Sequence, residues 1–451
     1  MTKQRLKFEV DASILLQIGP KIKSILASFN IGHLLLLSLA LHLFIISFPQ
    51  DGFIFDEAHY VPAAIKTLNL EPANAEHTPL AKIIIALSIA VFGNYWFAWR
   101  FPIVIMSIVS LYIFYLLSRR FMTDHYALYA TAFLSFNIIY FVHGSIFVLD
   151  MPAILFGLLG IHLYFSQRYS YSALSFGLSF LMKELGLFFL GTMLIYHLLT
   201  HFKVPNLNQI KKVAGFLLVI LLVSGGGLWI YDFVFKPTTG ASVFTNAQLT
   251  LVKDTNGTVL TTITTLNNIT SFAYITNPVE HLKFSWNYFS GLSPNIITSD
   301  TDYRPPWSWI LPIGNIFNSP KYLSVTVSYG DVSKIILNWV SQISPTVDYL
   351  YIPILLTAVH QAFKGKNKKE GILLSSWLSI SYIPWLILGL FVQRMTFNYY
   401  YIYTIPALAL GIPLFWSKII KNEKTRNIIL FTHLSLTFLF FLYFFPVVLI
   451  R

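Results

Sequence analysis

Residues 213–235, VAGFLLVILLVSGGGLWIYDFVF, form an apolar run in which Asp232 is the single charged residue. A helix of about 20 residues crosses the hydrocarbon core of a bilayer, so this run is long enough to span it. Similar runs recur along the chain, whose residues are 55% hydrophobic and 11% charged, against roughly 25% charged in a soluble domain. The sequence therefore predicts an all-α polytopic membrane protein. It excludes a soluble globular enzyme, a disordered chain and a fibrous protein.

Basic residues outnumber acidic ones by 31 to 19, which gives a formal net charge of +12. They lie between the apolar runs, at the membrane surface, so the charge does not indicate a nucleic-acid partner. Residues 1–30 are polar and basic, and we predict that this tail is cytoplasmic and precedes a retained anchor. The chain has no cysteine, which excludes disulfides, thiolate metal sites and a cysteine nucleophile.

We predict about eleven membrane-spanning helices. The stretch from Tyr171 to Leu199 is long for one span and short for two, and Lys183 and Glu184 interrupt it. Two short helices keep the later basic clusters in the cytoplasm, whereas one span would place those clusters outside. We therefore predict a hairpin. The other predicted spans are 31–48, 98–118, 126–142, 151–166, 213–235, 348–362, 371–392, 397–416 and 427–448.

Two long segments lie outside in this topology. The first contains EHTPLAKIIIALSIAVFG, which predicts an interfacial helix, because Pro79 suits a first turn and Gly93 breaks the pattern. The second is rich in Thr and Asn, which predicts mixed or irregular structure, and has glycosylation sequons at Asn256 and Asn268. The predicted parts are a tail (1–30), an N-terminal catalytic membrane module (31–235, with outer loop 50–97), a large outer loop (236–345) and C-terminal membrane helices (346–451).

Acidic residues follow the first span directly. FDEAHY at 55–60 places Asp56, Glu57 and His59 where the chain returns to the membrane surface. Ionisable residues at membrane depth are costly and are usually retained for function or for pairing. Asp56 and Glu57 are therefore candidate catalytic residues, with His59 as an orienting residue. The alternative is an acid pair solvated at the interface and neutralised by Lys82.

Five cations are expected at this same membrane level. Their natural ligand is an anion at headgroup depth, and phosphate is the commonest such group. Lys183 pairing with Glu184, and Arg394 anchoring at the interface, are the structural alternatives. The candidate phosphate-binding residues are Lys183, Arg394, Lys82, Arg100 and His77.

Further candidates for binding or orienting substrate are more weakly indicated. Asp150 opens a span at the outer level. Trp307 and Trp309, in RPPWSWILP, can stack on a sugar or belong to the interfacial aromatic belt. Tyr400 lies in FNYYYIY at 397–403, a stretch that also fits interfacial packing.

The sequence requires no cofactor. If a divalent metal binds, Asp56 and Asp150 are its expected ligands. Asp300-Thr301-Asp302 resembles a metal-binding acidic motif but fits a solvated turn better. Phosphate-loop, dinucleotide-binding and hydrolytic-triad motifs do not occur.

In their order along the chain, these residues resemble the dolichyl-phosphate-mannose protein mannosyltransferase family. FDEAHY is similar to its Asp-Glu-x-His motif, and EHTPLAK at 76–82 to its His-Pro-Pro-Leu-x-Lys segment. Thr78, Ser145 and Glu184 depart from the family pattern; Ser145 stands where a basic residue is frequent. The remaining similar segments are FGNYWFAWRFP (92–102), VLDMPA (148–153), LMKELGLFFL (181–190), RPPWSWILP (304–312) and QRMTFNYYYIYTIPALALGIP (393–413).

The resemblance implies an inverting glycosyltransferase at the cell membrane with its active site on the outer face. It would move mannose or a similar hexose from a polyprenyl or dolichyl phosphate to a hydroxyl acceptor, chiefly Ser or Thr of exported proteins. The large outer loop is too short for the insertion of the eukaryotic enzymes, so the prokaryotic branch is expected. The alternatives are a lipid-to-lipid or lipid-to-glycan transferase of the same class, a transporter or flippase, and a scaffold subunit. The expected partners are the donor, an exported protein or glycan, and membrane lipids.

Overall fold

The fold is given by a computed structural model. The sequons at Asn256 and Asn268, the Asp300 to Asp302 turn and nearly all of the N-terminal tail lie outside the residues that it describes. The described residues are 28–48, 52–201, 207–239, 249–253, 259–263, 274–291, 305–311, 321–329, 333–365, 368–392 and 394–450.

Four helices form the first part of the predicted catalytic module. They are α1 (Ile31–Ser47), α2 (Glu57–Leu68), α3 (Leu80–Phe92) and α4 (Trp96–Ser118). Helix α2 packs on α3, and α1 packs on α4. Helix α3 starts directly after Pro79 and ends at Gly93, whose φ of 94° is accessible mainly to glycine. Both boundaries of the predicted interfacial helix are therefore confirmed.

The predicted span at 126–142 is broken into two helices. These are α5 (Asp124–Ser135) and α6 (Ile138–His143). Asn137 caps α6, because its side-chain oxygen accepts a hydrogen bond from the Tyr140 amide, and its amide nitrogen donates to Asp348 over 3.2 Å. A polar residue thus ends one helix and starts the next inside an apolar region.

The hairpin prediction is confirmed. Helix α7 (Asp150–Phe165) is followed by α8 (Tyr169–Met182), a 3₁₀ turn (Glu184–Gly186) and α9 (Leu187–His201). Lys183 is extended, with φ −160° and ψ 141°, and so interrupts the helical path. A Cβ atom at Gly186 would lie 2.6 Å from the backbone oxygen of Ser179, so the turn requires glycine there.

The segment predicted to form the large outer loop has mixed structure, as predicted. It follows α10 (Leu207–Phe235) and contains a hairpin of β1 (Leu249–Lys253) with β2 (Val259–Ile263), helix α11 (Pro278–Ser290) and a 3₁₀ turn (Pro306–Trp309). It ends with strands β3 (Lys321–Tyr329) and β4 (Ser333–Val340), which pair antiparallel.

The end of the chain returns to this outer segment. Helices α12 (Pro345–Asp348), α13 (Tyr351–Lys364), α14 (Lys368–Leu390), α15 (Ile405–Ile419) and α16 (Glu423–Tyr443) lead to β5 (Val447–Ile450). Strand β5 pairs with β4, with Val448 opposite Ile336. Both ends of this section therefore lie at one membrane level, which requires an even number of crossings between them. The four predicted spans satisfy this requirement.

Some of the described helices have the length and composition of membrane-spanning helices. Four of them, α4, α10, α14 and α16, are long and apolar enough to cross a bilayer by themselves. Helix α10 exposes large apolar side chains, such as Leu221 and Leu222, which suits contact with lipid. The predicted class, a helical polytopic membrane protein, is confirmed, whereas the count of eleven spans and the predicted division into parts stay predictions.

Candidate active site

Charged and aromatic side chains from separate segments meet at the level of the outer segment. The charges of Lys183, His77 and Asp150 all act on Asp56, and Tyr400 acts on Lys183. The fold thus gathers residues from the start of α2, the start of α7, the hairpin tip and the 3₁₀ turn Asn398–Tyr403. These segments are distant in sequence, so only the packing of the helices brings them together.

Asp56 lies immediately before α2, in a tight turn in which Phe55 has a φ of 52°. Its side chain is partly exposed and accepts a long hydrogen bond from the Tyr60 hydroxyl, at 3.4 Å. Within the described part of the chain it forms no ion pair. Burial of its surroundings raises the pKa of Asp56, and the positive charge of Lys183 opposes this rise. Asp56 is therefore a partly exposed carboxylate and stays the candidate base.

Glu57 is fully buried and points into the protein. Its two carboxylate oxygens accept from Arg100, at 2.7 Å from Nε and 2.6 Å from Nη2. They also accept from the backbone amides of Ile54 and Phe147, both at 2.9 Å. Glu57 and Arg100 therefore hold the turn that carries Asp56. These contacts support a positioning role for both residues rather than catalysis or phosphate binding.

Lys183 is held by Asp150. Its Nζ lies 2.8 Å and 2.9 Å from the two carboxylate oxygens, and only 4% of Lys183 is exposed. Glu184 binds elsewhere: it accepts from the Thr78 amide at 2.8 Å and lies 3.0 Å from Nδ1 of His77. The expected alternative, a Lys183–Glu184 pair, is therefore wrong. The ammonium group can donate to a further ligand, because it carries three protons.

Arg394 is buried, with 2% exposure, which contradicts the alternative of an anchor reaching into the interface. Its Nε donates to the Phe289 backbone oxygen at 2.7 Å, and Nη2 lies 3.4 Å from the Tyr400 hydroxyl. The guanidinium carbon lies 3.8 Å from the centre of the Phe289 ring. No carboxylate among the described residues pairs with it. A bound anion would stabilise a buried cation in this state.

The other candidates have different surroundings. Lys82 donates to the backbone oxygens of Asn74, at 3.0 Å, and His77, at 3.1 Å, so it holds the loop before α3. Trp309 is fully buried beside Tyr382 and Tyr401, so it is core rather than a sugar platform.

Three of the residues predicted to bind or orient substrate remain candidates for that role. His59 is exposed, and Trp307 is partly exposed. Tyr400 stacks on Trp385, with ring centres 4.3 Å apart, and so presents its hydroxyl towards Arg394. These contacts place Tyr400 beside the cation that it would help to orient.

Sequence reasoning missed two residues of this region. Glu76 is 8% exposed, and its Oε2 has no hydrogen-bond partner among the described residues. It directly precedes His77, so the motif itself contained the signal. Tyr288, on α11, interacts electrostatically with Asp56, Glu76 and Arg394. No pattern indicated Tyr288, because its position depends on how α11 docks.

The described residues do not assemble a metal centre. No group of three or more histidine, aspartate or glutamate side chains is placed to bind one ion within the described ranges. Asp150 is instead engaged with Lys183. The suggestion that Asp56 and Asp150 share a metal therefore gains no support.

Comparison with known proteins identifies related folds. Residues 76–229, about a third of the chain, match the family model described as dolichyl-phosphate-mannose-protein mannosyltransferase. No curated protein sequence matches the chain. The structure of the S. cerevisiae protein O-mannosyltransferase Pmt1-Pmt2 complex bound to the sugar donor is similar, with a TM-score of 0.64 and 12% identity. The alignment covers 92% of this chain and 89% of that one.

A weaker likeness exists to the crystal structure of ArnT from Cupriavidus metallidurans bound to undecaprenyl phosphate. Its TM-score is 0.47 at 13% identity, and the alignment covers 85% of this chain and 60% of that one. At such low identity, both structural matches describe fold alone.

The family match supports one class of protein, the membrane glycosyltransferases that use lipid-linked sugars. Within that class, the predicted resemblance to the dolichyl-phosphate-mannose protein mannosyltransferase family is confirmed by the match over residues 76–229. This match includes EHTPLAK and the Lys183 hairpin, whereas FDEAHY and the Arg394 segment lie outside it.

Proposed function

We propose that this protein transfers a hexose, mannose in the first instance, from a polyprenyl phosphate to a hydroxyl acceptor with inversion. The observation that carries the proposal is the different state of the three predicted acids, Asp56, Glu57 and Asp150. Glu57 is paired with Arg100 and Asp150 with Lys183, whereas Asp56 has no ion pair among the described residues. A single displacement requires one base, and of these three acids Asp56 is the one that is not neutralised.

Asp56 is the proposed base. A hydroxyl is a weak nucleophile at neutral pH, so a carboxylate must take its proton as the oxygen attacks the anomeric carbon. The new bond forms on the face opposite the phosphate, and the bond between the anomeric carbon and the phosphate oxygen breaks. Its electron pair stays on the phosphate. The raised pKa of Asp56 brings this base nearer to neutral pH, which improves its proton affinity.

Lys183 and Arg394 are the proposed partners of the phosphate. The leaving phosphate gains negative charge in the transition state, and fixed cations in a site with little water stabilise that charge strongly. Asp150 holds Lys183 in place through two short contacts. Tyr400 and Phe289 position Arg394 from two sides. His77 is a third candidate, although Glu184 already binds it.

The proposal also includes the acceptor and the face of the membrane on which the reaction takes place. A Ser or Thr hydroxyl of an exported protein is the proposed acceptor, and the outer face of the cell membrane is the proposed location. A glycan or lipid hydroxyl would use the same base and the same cations. Transport or flipping would leave Asp56 without a role.

Purified protein incubated with radiolabelled polyprenyl-phosphate mannose tests this function. We expect label to move to a hydroxyl-bearing peptide and the anomeric configuration of the product to be inverted. If the label moved to a glycan or a lipid instead, the protein would be a transferase with a different acceptor from the one proposed. Absence of transfer to all three acceptors, with the donor bound, would overturn the proposal.

A further inference from the structure

A polar cavity of about 540 Å³ lies at the other end of α7 from Asp150. It is lined by Arg120, His162, Leu163, Phe165, Ser166, Gln167 and Arg168. Helix α7 has Asp150 as its first residue and Phe165 as its last. A helix of that length separates its ends by about 24 Å. The cavity therefore lies near the membrane surface opposite the candidate active site.

The wall of this cavity is a rigid turn between α7 and α8. The Arg168 amide donates to the Leu163 oxygen, and the Gln167 amide to the Tyr164 oxygen, each at 2.9 Å. Gln167 has a φ of 59°, a conformation that residues other than glycine rarely adopt. Arg120 reaches across from the end of α4 and donates to the Phe165 oxygen and the Ser166 hydroxyl. The cavity is therefore preformed.

The lining is cationic and contains no carboxylate. The charges of Arg120 and Arg168 both act on His162, and neither arginine pairs with an acid among the described residues. The nearby acid, Asp124, is bound to Arg119 at 2.6 Å. In addition, Nδ1 of His162 is buried without a hydrogen-bond partner in the described part of the chain. An anion would satisfy all of these groups.

We propose that this cavity binds the phosphate group of an anionic membrane lipid in the leaflet opposite the active site. The two arginines supply charge-assisted hydrogen bonds to phosphate oxygens. Tyr169, Tyr171 and Leu174 of α8 are exposed beside the turn, so they offer an apolar surface for the acyl chains. A soluble phosphate has the same head chemistry but gains nothing from that surface. The proposal is independent of the transfer reaction.

Native mass spectrometry of the delipidated, detergent-solubilised protein tests the site. Phosphatidylglycerol is titrated against the wild type, the R120Q/R168Q double variant and R119Q. R119Q is the control, since it removes one positive charge next to Arg120 without changing the lining of the cavity. We expect the double variant to bind the lipid about tenfold or more weakly, because charge-assisted contacts are lost, and R119Q to bind nearly as the wild type does.

Two further measurements complete the test. The side chain of Arg168 makes no hydrogen bond among the described residues, so the single variant R168Q should fold normally and still bind the lipid more weakly. If inorganic phosphate displaces the lipid, the cavity is an anion site for soluble phosphate, and the proposed lipid is wrong. If inorganic phosphate does not displace it, the cavity is a lipid site. Equal affinity in all variants, or equal binding of phosphatidylcholine to the wild type, would overturn the proposal.

Discussion

Glu57 and Arg100 form a fully buried ion pair with two contacts, 2.7 Å between Oε1 and Nε and 2.6 Å between Oε2 and Nη2. The pair anchors the turn before α2 to α4. It thereby separates two neighbouring acids by role: Glu57 faces inward and is neutralised, whereas Asp56 is partly exposed and remains available to accept a proton.

Asp56→Asn should abolish transfer while donor binding persists, because the base is lost but the phosphate cations are untouched. A general base contributes roughly 10²- to 10⁴-fold to rate. Initial rates with saturating donor, together with equilibrium donor binding, measure the two effects. Turnover above a tenth of the wild-type value would exclude Asp56 as the base.

Glu57→Gln should act on stability first. Removing one partner leaves the Arg100 charge buried and uncompensated, which costs about 3–5 kcal/mol. Thermal unfolding in detergent measures the loss. Glu71→Gln is a matched control, because Glu71 is exposed and should tolerate the change. An unfolding temperature for Glu57→Gln equal to that of the control would contradict the positioning role.

Lys183→Met should weaken donor binding and slow transfer together, each by roughly ten- to a hundredfold for the loss of one charge-assisted contact. The variant leaves Asp150 unpaired, so a loss of folding must be separated from a loss of binding. The double variant K183M/D150N removes both charges and should restore stability without restoring transfer. Wild-type transfer by this folded double variant would remove Lys183 from the phosphate site.

The pH dependence of kcat/KM should report Asp56. Because burial raises its pKa above the ordinary value of about 3.9, protonation and loss of activity should begin at a higher pH than for an exposed aspartate. Lys183 opposes that rise, so the acidic limb should move to still higher pH in any residual activity of Lys183→Met. If the acidic limb of the pH profile is unchanged in Lys183→Met, the charge of Lys183 does not influence Asp56, and this prediction is wrong.

The proposed orientation can be tested with single cysteines, because the protein has none of its own. Lys283→Cys, on α11, should react with an impermeant maleimide in intact cells. Lys421→Cys, between α15 and α16, should react only after permeabilisation. Both lysines are exposed and form no ion pair among the described residues. The reverse pattern would place the site in the cytoplasm.

The sequence by itself determined the class of the fold and some of its breaks, although not the break at Asn137 inside the predicted span 126–142. Hydropathy and charge are local properties, so apolar runs, the hairpin around Lys183 and the boundaries of α3 at Pro79 and Gly93 were predictable. The same holds for the level of Asp56 and Lys183, since the order of spans along the chain fixes which loops share a membrane face.

Only the tertiary structure decided which charges pair. Lys183 binds Asp150, 33 residues away, rather than its neighbour Glu184, and Glu57 binds Arg100 across 43 residues. Trp309 likewise became core although its motif was compatible with a sugar platform. An ion pair needs its atoms within about 4 Å of each other. Helix packing sets that distance, and no sequence pattern reports it.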